Sequence, residues 1–521
     1  MFPGTYAASS PDRPAVVVAE TGAALTYGEL EERSARLARF LHEQGLRRGD
    51  VVAMLVDNIP EAFVVFWAAQ RSGLYVTAVN HHLAADEAAY IVDDSGARVL
   101  VSSGATDKLA ALAGAVADRS PRVELRLSVV GPVPGHDDLA TAVAATSAEP
   151  LAEQPRGADM LYSSGTTGRP KGIKPTLPDR RVDEPGDPLV GLFAPLYGIG
   201  EDAVYLSPAP VYHAAPLRFG GVVHAVGGTV VMMRRFDAEG ALAAIDRYRV
   251  THSQWVPTMF VRMLKLPREV RDRYDVSSMR AAIHAAAPCP VEVKQAMIDW
   301  WGPVLHEYYS STEANGITLI SSGQWLERPG SVGRAGLGVL HVCDDDAGGR
   351  ELPPGEVGTV YFERDEAPFV YHGDPGRTRD AQHPDHPNWT TTGDLGRVDE
   401  DGFLYLTDRK SFMIISGGVN IYPQEIEDQL TLHPAVADVA VIGVPDEEMG
   451  ESVLAVVSAA EGTEPGDALA VELLTHVRDR IAHYKVPRRV VFDDDLPRTP
   501  TGKLVKHRLR ERYGRGDTAP V

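Results

Sequence analysis

The sequence predicts an α/β protein with a large N-terminal domain of doubly wound sheets, a β subdomain, and a small α+β C-terminal domain. The first observation is an alternation of short apolar strands and amphipathic helices over residues 51–103, which is typical of a sheet covered by helices. The second is a change to β-like runs divided by Gly, Pro and Asp turns from about 338 to 407. The third is a compact module at 408–521, which is large enough to fold separately. We therefore place the N-terminal domain at 1–407 and the C-terminal domain at 408–521.

The elements of the N-terminal domain follow from the spacing of its apolar residues. The alternation predicts a strand at 51–56, a helix at 60–73, a strand at 74–79, a helix at 85–96 and a strand at 99–103. Residues 160–163 (MLYS) indicate the end of another strand. Residues 174–190 are rich in proline and charge, which predicts an exposed excursion without a core face.

The C-terminal module shows both helical and strand periods. Its predicted elements are a helix from Pro423 to about Leu432, strands at 436–444 and 452–460, a helix from about Leu469 to His483 and a short strand at 489–492. The basic run at 506–515 (KHRLRERYGR) predicts a solvated helix rather than a binding patch.

Composition excludes several classes of function. The 521 residues, 44% of them hydrophobic, suffice for a large core and more than one domain. No apolar run reaches a membrane-spanning length and no secretory signal is visible, so we expect a cytoplasmic protein without stable membrane insertion. The formal net charge of −21 disfavours nucleic acid as a partner. Cys289 and Cys343 offer neither a disulfide framework nor a metal-ligand spacing.

Residues 162–173 (YSSGTTGRPKGI) combine glycines, hydroxyl side chains and a lysine. Glycines let the backbone approach an oxyanion, hydroxyls and amides donate hydrogen bonds, and Lys171 adds charge, so the run predicts a phosphate-binding loop. It is not a Walker loop, because Lys171 is followed by Gly172 rather than by Ser or Thr. Taken alone, the run would also suit a flexible surface turn. The candidate phosphate ligands are Ser163, Ser164, Gly165, Thr166, Thr167, Gly168 and Lys171.

Further motifs follow this loop in a fixed order. They are EYYSSTE at 307–313, TTGDLG at 391–396, DRKSFMIISGGVNIYPQEIE at 408–427 and LPRTPTGKL at 496–504. With them the chain resembles the adenylate-forming superfamily, which includes acyl-CoA synthetases, adenylation domains of peptide synthetases and luciferases. The resemblance covers about Pro11 to Arg512 and implies an enzyme that activates a carboxylic acid with ATP and Mg²⁺.

The resemblance implies roles for residues around the transferred phosphate. The loop at 163–171 would hold the β- and γ-phosphates, Thr312 would contact phosphate, and Glu313 would bind Mg²⁺, a hard cation that prefers oxygen ligands. Lys503 would contact the substrate carboxylate and the α-phosphate during adenylation. Alone, the Thr312–Glu313 dipeptide would suit a helix cap, and a surface lysine is normally only solvated.

The remaining nucleotide contacts are also implied by resemblance. Tyr309 would stack on adenine, and Asp394 would accept hydrogen bonds from the ribose hydroxyls with Arg409 beside it. Tyr308 and Ser310 replace the glycines that usually flank this tyrosine. The full set of further nucleotide- or CoA-binding residues is Ala286, Ala287, Pro288, Glu307, Tyr308, Ser310, Gly417 and Gly418.

The C-terminal domain is implied to be mobile. Asp408 corresponds to the hinge about which the small domain of this family turns between two catalytic poses. The adjacent glycines Gly417 and Gly418 would then line the tunnel for the pantetheine arm of CoA, because glycine permits a close approach of backbone to ligand.

The acyl pocket is expected to be apolar. His213 resembles the gate between this pocket and the CoA tunnel, although a lone histidine is more often a satisfied structural residue. The pocket candidates are Tyr212, Phe219, Gly220, Gly221, Trp255, Val256, Phe260, His284 and Ala285. They include no charged residue that would recognise an amino group, which disfavours an amino acid substrate.

The leading hypothesis is therefore an AMP-forming acid–CoA ligase for a hydrophobic acid, with ATP, Mg²⁺ and CoA as cofactors and cosubstrates. One alternative is an adenylating enzyme that passes the acyl-adenylate to a carrier protein or partner enzyme. An alternative of another class is a non-catalytic nucleotide-binding regulator. Fatty, aryl and polycyclic acids all remain open as substrates.

Overall fold

The computed structural model describes residues 2–163, 170–344, 349–409, 412–417, 419–446, 448–498 and 504–514. Its packing separates two compact units. The first unit is Met1–Gln254, Pro267–Ala282 and Phe369–Pro375, and the second unit is Trp255–Leu266, Ile283–Pro368 and Gly376–Val521.

Helices and strands alternate through most of the chain. The helices are α1 Pro3–Ser9, α2 Tyr27–Glu43, α3 Glu61–Gln70, α4 Ala85–Asp94, α5 Asp107–Arg119, α6 Leu139–Ala142, α7 Pro188–Tyr197, α8 Ala214–Ala225, α9 Ala238–Tyr248, α10 Pro257–Leu264, α11 Arg268–Arg271, α12 Val291–Trp301, α13 Ser322–Glu327, α14 Pro375–Asp380, α15 Pro423–Thr431, α16 Asp467–Arg478 and α17 Lys506–Tyr513.

The strands up to residue 255 are β1 Pro14–Val18, β2 Ala24–Thr26, β3 Val51–Leu55, β4 Tyr75–Ala78, β5 Ala97–Ser103, β6 Leu125–Val129, β7 Asp137–Asp138, β8 Ala158–Asp159, β9 Leu161–Ser163, β10 Lys171–Ile173, β11 Val204–Ser207, β12 Thr229–Met232 and β13 His252–Trp255. Those that follow are β14 Ala281–His284, β15 Leu305–Tyr309, β16 Ile317–Ser321, β17 Arg334–Leu337, β18 Val339–Asp344, β19 Arg350–Glu351, β20 Gly358–Glu363, β21 Trp389–Thr390, β22 Asp394–Val398, β23 Leu404–Arg409, β24 Ile414–Ser416, β25 Val419–Ile421, β26 Val436–Asp446, β27 Gly450–Ala459 and β28 Arg489–Phe492.

The first unit contains two largely parallel sheets. One has the strand order β7-β6-β5-β3-β4-β8, and every described pairing in it is parallel. The other includes the order β13-β11-β12-β1-β2, in which β2 returns antiparallel to β1. Every residue of β3 is buried, as expected for a parallel strand covered on both faces. The predicted α/β class is confirmed, and β3, α3, β4, α4 and β5 fall where the apolar pattern predicts them.

The proline-rich segment at 174–190 departs from its prediction. Val182 is fully buried, and its N–H donates to the Gln154 carbonyl at 2.9 Å. Asp187 accepts hydrogen bonds from Arg156 and Arg180, both at 2.8 Å. The prediction of a segment without a core face is therefore wrong, because one valine among many polar residues is enough to anchor it.

The second unit contains two mainly antiparallel sheets. Strands β18–β23 form one sheet of the order β19-β18-β20-β22-β23, with β21 paired to β20, in agreement with the β subdomain expected from about 338. Strands β24–β28 form another, β25-β24-β27-β26, with β28 parallel to β27. Its apolar core includes Ile426, Val441, Leu473 and Val477. The division into domains at Asp408 stays a prediction.

Two C-terminal helices differ from expectation. Helix α16 ends at Arg478 rather than near His483. The chain turns at Asp479, because Ile481 packs against the apolar core of the sheet formed by β24–β28. Helix α17 is not simply solvated. Its Leu509 is fully buried, and the Lys506 ammonium lies 2.8 Å from the Glu427 carboxylate.

Candidate functional site

The predicted phosphate loop is flanked by a hairpin of the first unit. Strands β9 and β10 pair antiparallel, so that Lys171 lies opposite Ser163 and Gly172 opposite Tyr162. The Lys171 ammonium lies 4.7 Å from the centroid of the Tyr371 ring. A Cβ at Gly172 would come within 2.9 Å of the Tyr162 ring, so only glycine fits there without a shift. The candidate ligands Ser164, Gly165, Thr166, Thr167 and Gly168 lie outside the described residues, as does the side chain of Ser163.

The second unit contains an open cavity of about 1320 Å³. Several residues predicted to contact the nucleotide line it. They are Ala286, Ala287, Pro288, Glu307, Tyr308, Tyr309, Ser310 and Asp394. The end of strand β15 and the start of strand β22 thus contribute to one wall, and both segments come from the motifs that carry the resemblance.

Tyr309 and Asp394 are joined directly. The Tyr309 hydroxyl donates to Oδ2 of Asp394 at 2.7 Å, and the Thr392 hydroxyl donates to the same oxygen at 2.8 Å. Asp394 is 7% exposed, so its carboxylate is held in place before any ligand arrives. In the pairing of β22 with β23, Asp394 lies opposite Arg409, whose side chain lies outside the described residues.

The backbone is strained where the cavity is lined by alanines. Ala286 has a φ of 77°, in the left-handed region that costs a residue with a Cβ about 1–2 kcal/mol. The neighbouring Ala287 and Pro288 continue the same cavity wall. Strain of this kind is often found beside ligand sites.

Thr312 and Glu313 lie in a turn after strand β15 and not at the start of a helix. Glu313 is buried at 8% exposure, and Ala314 after it has a φ of 52°. Among the described residues no group of three or more His, Cys, Asp or Glu side chains could hold a metal ion. Mg²⁺ is commonly bound by one or two carboxylates together with phosphate oxygens, so a single carboxylate does not conflict with this chemistry, and the role of Glu313 stays a prediction.

Beneath the cavity wall lies a charged pair that sequence reasoning missed. Lys294 of helix α12 donates to Oε2 of Glu307 at 2.5 Å, and both side chains are buried. Nε2 of His284 lies 3.7 Å from the same oxygen. Burial raises the pKa of the Glu307 carboxyl, and the Lys294 ammonium opposes that rise. Burial also lowers the pKa of His284, which is therefore neutral.

The acyl-pocket candidates of the first unit lie on helix α8 and just before it. Phe219 is buried and stacks on Tyr205, with ring centroids 6.1 Å apart. A Cβ at Gly220 would come within 2.3 Å of the Phe63 ring, so this glycine allows α8 to approach α3 closely. Gly221 lies in the same way near Phe66, at 3.1 Å. A role of these residues in the acyl pocket stays a prediction.

His213 belongs to a group of rings at the start of helix α8. Its ring lies 4.5 Å from that of Tyr212, which in turn contacts His81 at 5.2 Å. Burial lowers the pKa of His213 to about 3 and that of His81 to about 4, so both are neutral at pH 7. The Tyr212 hydroxyl and Nε2 of His213 are buried and have no hydrogen-bond partner among the described residues.

The pocket candidates of the second unit pack against one another. Trp255 lies 6.0 Å from Phe260 between ring centroids, and Phe260 lies 5.5 Å from His284. Val256 and Ala285 are also buried. The structure thus gathers Trp255, Val256, Phe260, His284 and Ala285 into one apolar group, and whether an acyl chain reaches it stays a prediction.

The residues implied for the mobile domain are described in part. Asp408 lines the cavity. Its carboxylate accepts a hydrogen bond of 3.4 Å from the backbone N–H of Gln424. Ser416 pairs with Val419 across the β24–β25 hairpin, and Gly417 between them has a φ of 57°. Gly418 and Lys503 lie outside the described residues.

The chain matches two family descriptions. Residues 5–367 match "AMP-binding enzyme", and residues 425–503 match "AMP-binding enzyme C-terminal domain". A feruloyl-CoA synthase of Amycolatopsis sp is 34% identical over 507 residues, which cover 96% of each chain. A long-chain fatty acid–CoA ligase of Mycobacterium tuberculosis is 32% identical over 512 residues, or 97% of this chain and 96% of the relative.

Solved structures show the same likeness. The crystal structure of ATP-bound MatB from Rhodopseudomonas palustris is 29% identical, covers 99% of both chains and superposes with a TM-score of 0.80. Within the described part of the chain, no helix combines the length and apolar character needed to cross a membrane. A cytoplasmic location stays a prediction.

Proposed function

The chain belongs to the AMP-binding enzyme family, and on this premise we propose that it is an acid–CoA ligase for a hydrophobic carboxylic acid. In the first half-reaction a carboxylate oxygen attacks the α-phosphorus of ATP, and pyrophosphate leaves. In the second, the CoA sulfur attacks the acyl carbonyl carbon, the thiol proton is released, and AMP leaves with the electron pair of the broken bond.

The observation that carries the proposal is the hydrogen bond of 2.7 Å between the Tyr309 hydroxyl and Asp394. It joins a ring that can stack on a base to a carboxylate that can accept from ribose hydroxyls, on the wall of one cavity. A nucleoside bound there would be held at two of its parts by groups already in position, which lowers the entropic cost of binding.

The negative charges of the phosphates need further groups to neutralise them, apart from those that would bind the nucleoside. We assign Lys171, the loop before it and Lys503 to stabilising negative charge that develops at the reacting phosphorus. Bound Mg²⁺ would neutralise phosphate charge, with Glu313 as its protein ligand and Thr312 beside it. These assignments matter here because the net charge of −21 gives a long-range field that opposes anionic ligands.

We propose that the acid has an apolar body that carries a polar substituent. Relatives are named for an aryl acid and for long-chain fatty acids, which share an apolar body. The buried Tyr212 hydroxyl and Nε2 of His213 have no hydrogen-bond partner within the described ranges, and a hydroxyl on the acid would satisfy one of them. Both groups are neutral, so the tyrosine hydroxyl can donate or accept, and Nε2 of His213 can do either according to its tautomer.

The test is a pyrophosphate-release screen with ATP and acids of different shape, measured with and without CoA. The panel pairs hydroxylated with unsubstituted aryl acids and includes long-chain fatty acids. We expect release with a hydrophobic acid and a CoA thioester when CoA is present. Release without any thioester would instead favour transfer to a carrier protein. No release with any acid, from a chain that still binds AMP, would favour the non-catalytic regulator.

A further inference from the structure

Lys294 is an unusual residue for its position on helix α12. The side chains three, four and seven positions later, Met297, Ile298 and Trp301, are all buried and apolar. Lys294 therefore lies on the apolar face of the helix, and its side chain is fully buried. A methionine of similar length would fill this space without the cost of removing an ammonium group from water.

The ammonium group has specific contacts. It donates to Oε2 of Glu307 at 2.5 Å and lies 5.1 Å from the centroid of the Trp325 ring. His284 also faces Glu307, but its Nε2 lies 3.7 Å from Oε2, beyond hydrogen-bond distance. Among these groups, Lys294 thus provides the hydrogen bond and the charge that favour the anionic form of Glu307.

Glu307 lies on the same face of strand β15 as Tyr309, because side chains two positions apart point to the same side of a strand. The distance between them along the strand is roughly 6.6 Å, twice the rise per residue. Both residues line the cavity. A base stacked on the Tyr309 ring would therefore present one edge to the Glu307 carboxylate.

We propose that Lys294 is a positioning residue that selects the nucleotide base through Glu307, an inference that rests on the proposed function. It holds the Glu307 carboxylate as an acceptor at the edge of the base. A carboxylate only accepts hydrogen bonds, so it favours adenine, which presents an amino group at position 6, over hypoxanthine or guanine, which present a carbonyl oxygen there.

Removing the ammonium would change this preference. Burial raises the pKa of the Glu307 carboxyl, and Lys294 opposes that rise, so loss of Lys294 favours the protonated acid. A protonated carboxyl group has an O–H donor and can bind a carbonyl oxygen. Discrimination between amino and carbonyl bases should then decrease.

The test measures binding to the full chain by calorimetry with AMP, IMP and purine riboside monophosphate, which lacks the amino group. In the wild type we expect AMP to bind tighter than either by about tenfold or more, the effect of a hydrogen bond to a charged group. Lys294→Met should bring the AMP-to-IMP affinity ratio close to one, and Lys294→Arg should preserve most of it. Glu292→Gln, on the exposed side of the same helix, should leave the ratio unchanged.

An unchanged AMP-to-IMP ratio in folded Lys294→Met would overturn the inference. Should that variant not fold, the wild type decides: equal binding of AMP and purine riboside monophosphate would overturn it as well. Because the readout is binding, it is separate from catalysis. Selective AMP binding without pyrophosphate release for any acid would contradict the proposed function and leave the role of Lys294 supported.

Discussion

At the scale of single residues, the cavity wall is made of side chains that hold one another in place. Oδ2 of Asp394 accepts hydrogen bonds from Tyr309 and Thr392, at 2.7 and 2.8 Å. The tyrosine hydroxyl therefore fixes the carboxylate, and the carboxylate fixes the ring. Resemblance identified both residues, but the bond between them could not be predicted, because they are 85 positions apart in the chain.

Replacing Asp394 tests the ribose assignment. Asp394→Ala should weaken binding of ATP and AMP by roughly 1.5–3 kcal/mol, because it removes a charged acceptor. Tyr309→Phe keeps the ring and removes only the hydroxyl, so it should cost less, about 0.5–1.5 kcal/mol. Calorimetry on folded variants measures both. An unchanged affinity in Asp394→Ala would remove this residue from the nucleotide site.

Ala286 provides a test of backbone strain. Its φ of 77° is easily adopted by glycine, so Ala286→Gly should raise the free energy of unfolding by up to about 1 kcal/mol. The neighbouring Ala285→Gly serves as the control and should lower it by about 0.5–1 kcal/mol, because glycine gains more freedom on unfolding. Urea unfolding compares the two. A loss of stability in both variants would show that Ala286 is not strained.

At the scale of elements, periodicity predicted most of the fold. Strands β3, β4 and β5 are buried almost throughout and helix α4 on one face, as their apolar residues predict. Helix α3 is not amphipathic as predicted, because it is buried at every position from Ala62 to Gln70. The sequence did not predict the end of helix α16 or the anchored Val182, because each depends on contacts with distant segments. It likewise could not show that Gly220 faces a phenylalanine of helix α3.

The surroundings of two helical glycines predict opposite effects of alanine on stability. Gly220→Ala should destabilise the protein by about 1–3 kcal/mol, since its Cβ would lie 2.3 Å from the ring of the fully buried Phe63. Gly191→Ala on helix α7 has open space and should gain about 0.5–1 kcal/mol. Thermal unfolding measures the difference. Michaelis constants for acids of increasing size then test whether Gly220 lines the acyl pocket. A rise confined to bulky acids in Gly220→Ala would support that role.

A buried histidine of helix α8 makes stability depend on pH. Trp67 donates to Nδ1 of His224 at 3.3 Å, so the neutral ring carries its proton on Nε2, which donates to the Ala15 carbonyl at 3.0 Å. Burial lowers the pKa of His224 to about 4. Between pH 6.5 and 4 the unfolded chain binds more protons, so stability is present above pH 6.5 and is lost as the pH falls towards 4.

His224→Gln tests this origin of the pH dependence. Glutamine can accept from Trp67 and donate to Ala15, but it does not titrate in this range. We expect the variant to lose less stability than the wild type over the window, by roughly 3 kcal/mol at pH 4. His81, whose pKa is also lowered to about 4, continues to contribute, so the slope decreases without vanishing. Equal slopes in urea unfolding would show that His224 does not contribute.

At the scale of the whole molecule, ordered motifs were sufficient for the family. The phosphate loop and the four motifs after it identified an adenylate-forming enzyme of the AMP-forming acyl-CoA synthetase class, and the comparisons confirm both. The motifs did not reveal Lys294, because a lysine on an apolar helix face gains meaning only beside its partner, 13 positions away. The identity of the acid was also beyond the motifs, since apolar pockets share few characteristic residues.

The whole-molecule prediction concerns Lys503 and the two half-reactions. The resemblance implies that the small domain presents Lys503 during adenylation, then turns about Asp408 and presents Gly417 to the arm of CoA. Lys503→Ala should therefore lower acyl-adenylate formation by on the order of 10²–10³, the cost of a lost transition-state donor. Thioester formation from supplied acyl-adenylate should fall much less, because Lys503 is then away from the reacting atoms. Nucleotide binding by itself cannot produce this asymmetry.

Measuring both steps on one folded variant decides the question. Pyrophosphate release reports adenylation, and thioester formation from purified acyl-adenylate and CoA reports the second step, so each serves as the control for the other. Lys503→Arg keeps a positive charge but not the compact ammonium, and it should recover adenylation only in part. Equal impairment of both steps would contradict the turn of the small domain, whereas full adenylation activity would remove Lys503 from the site.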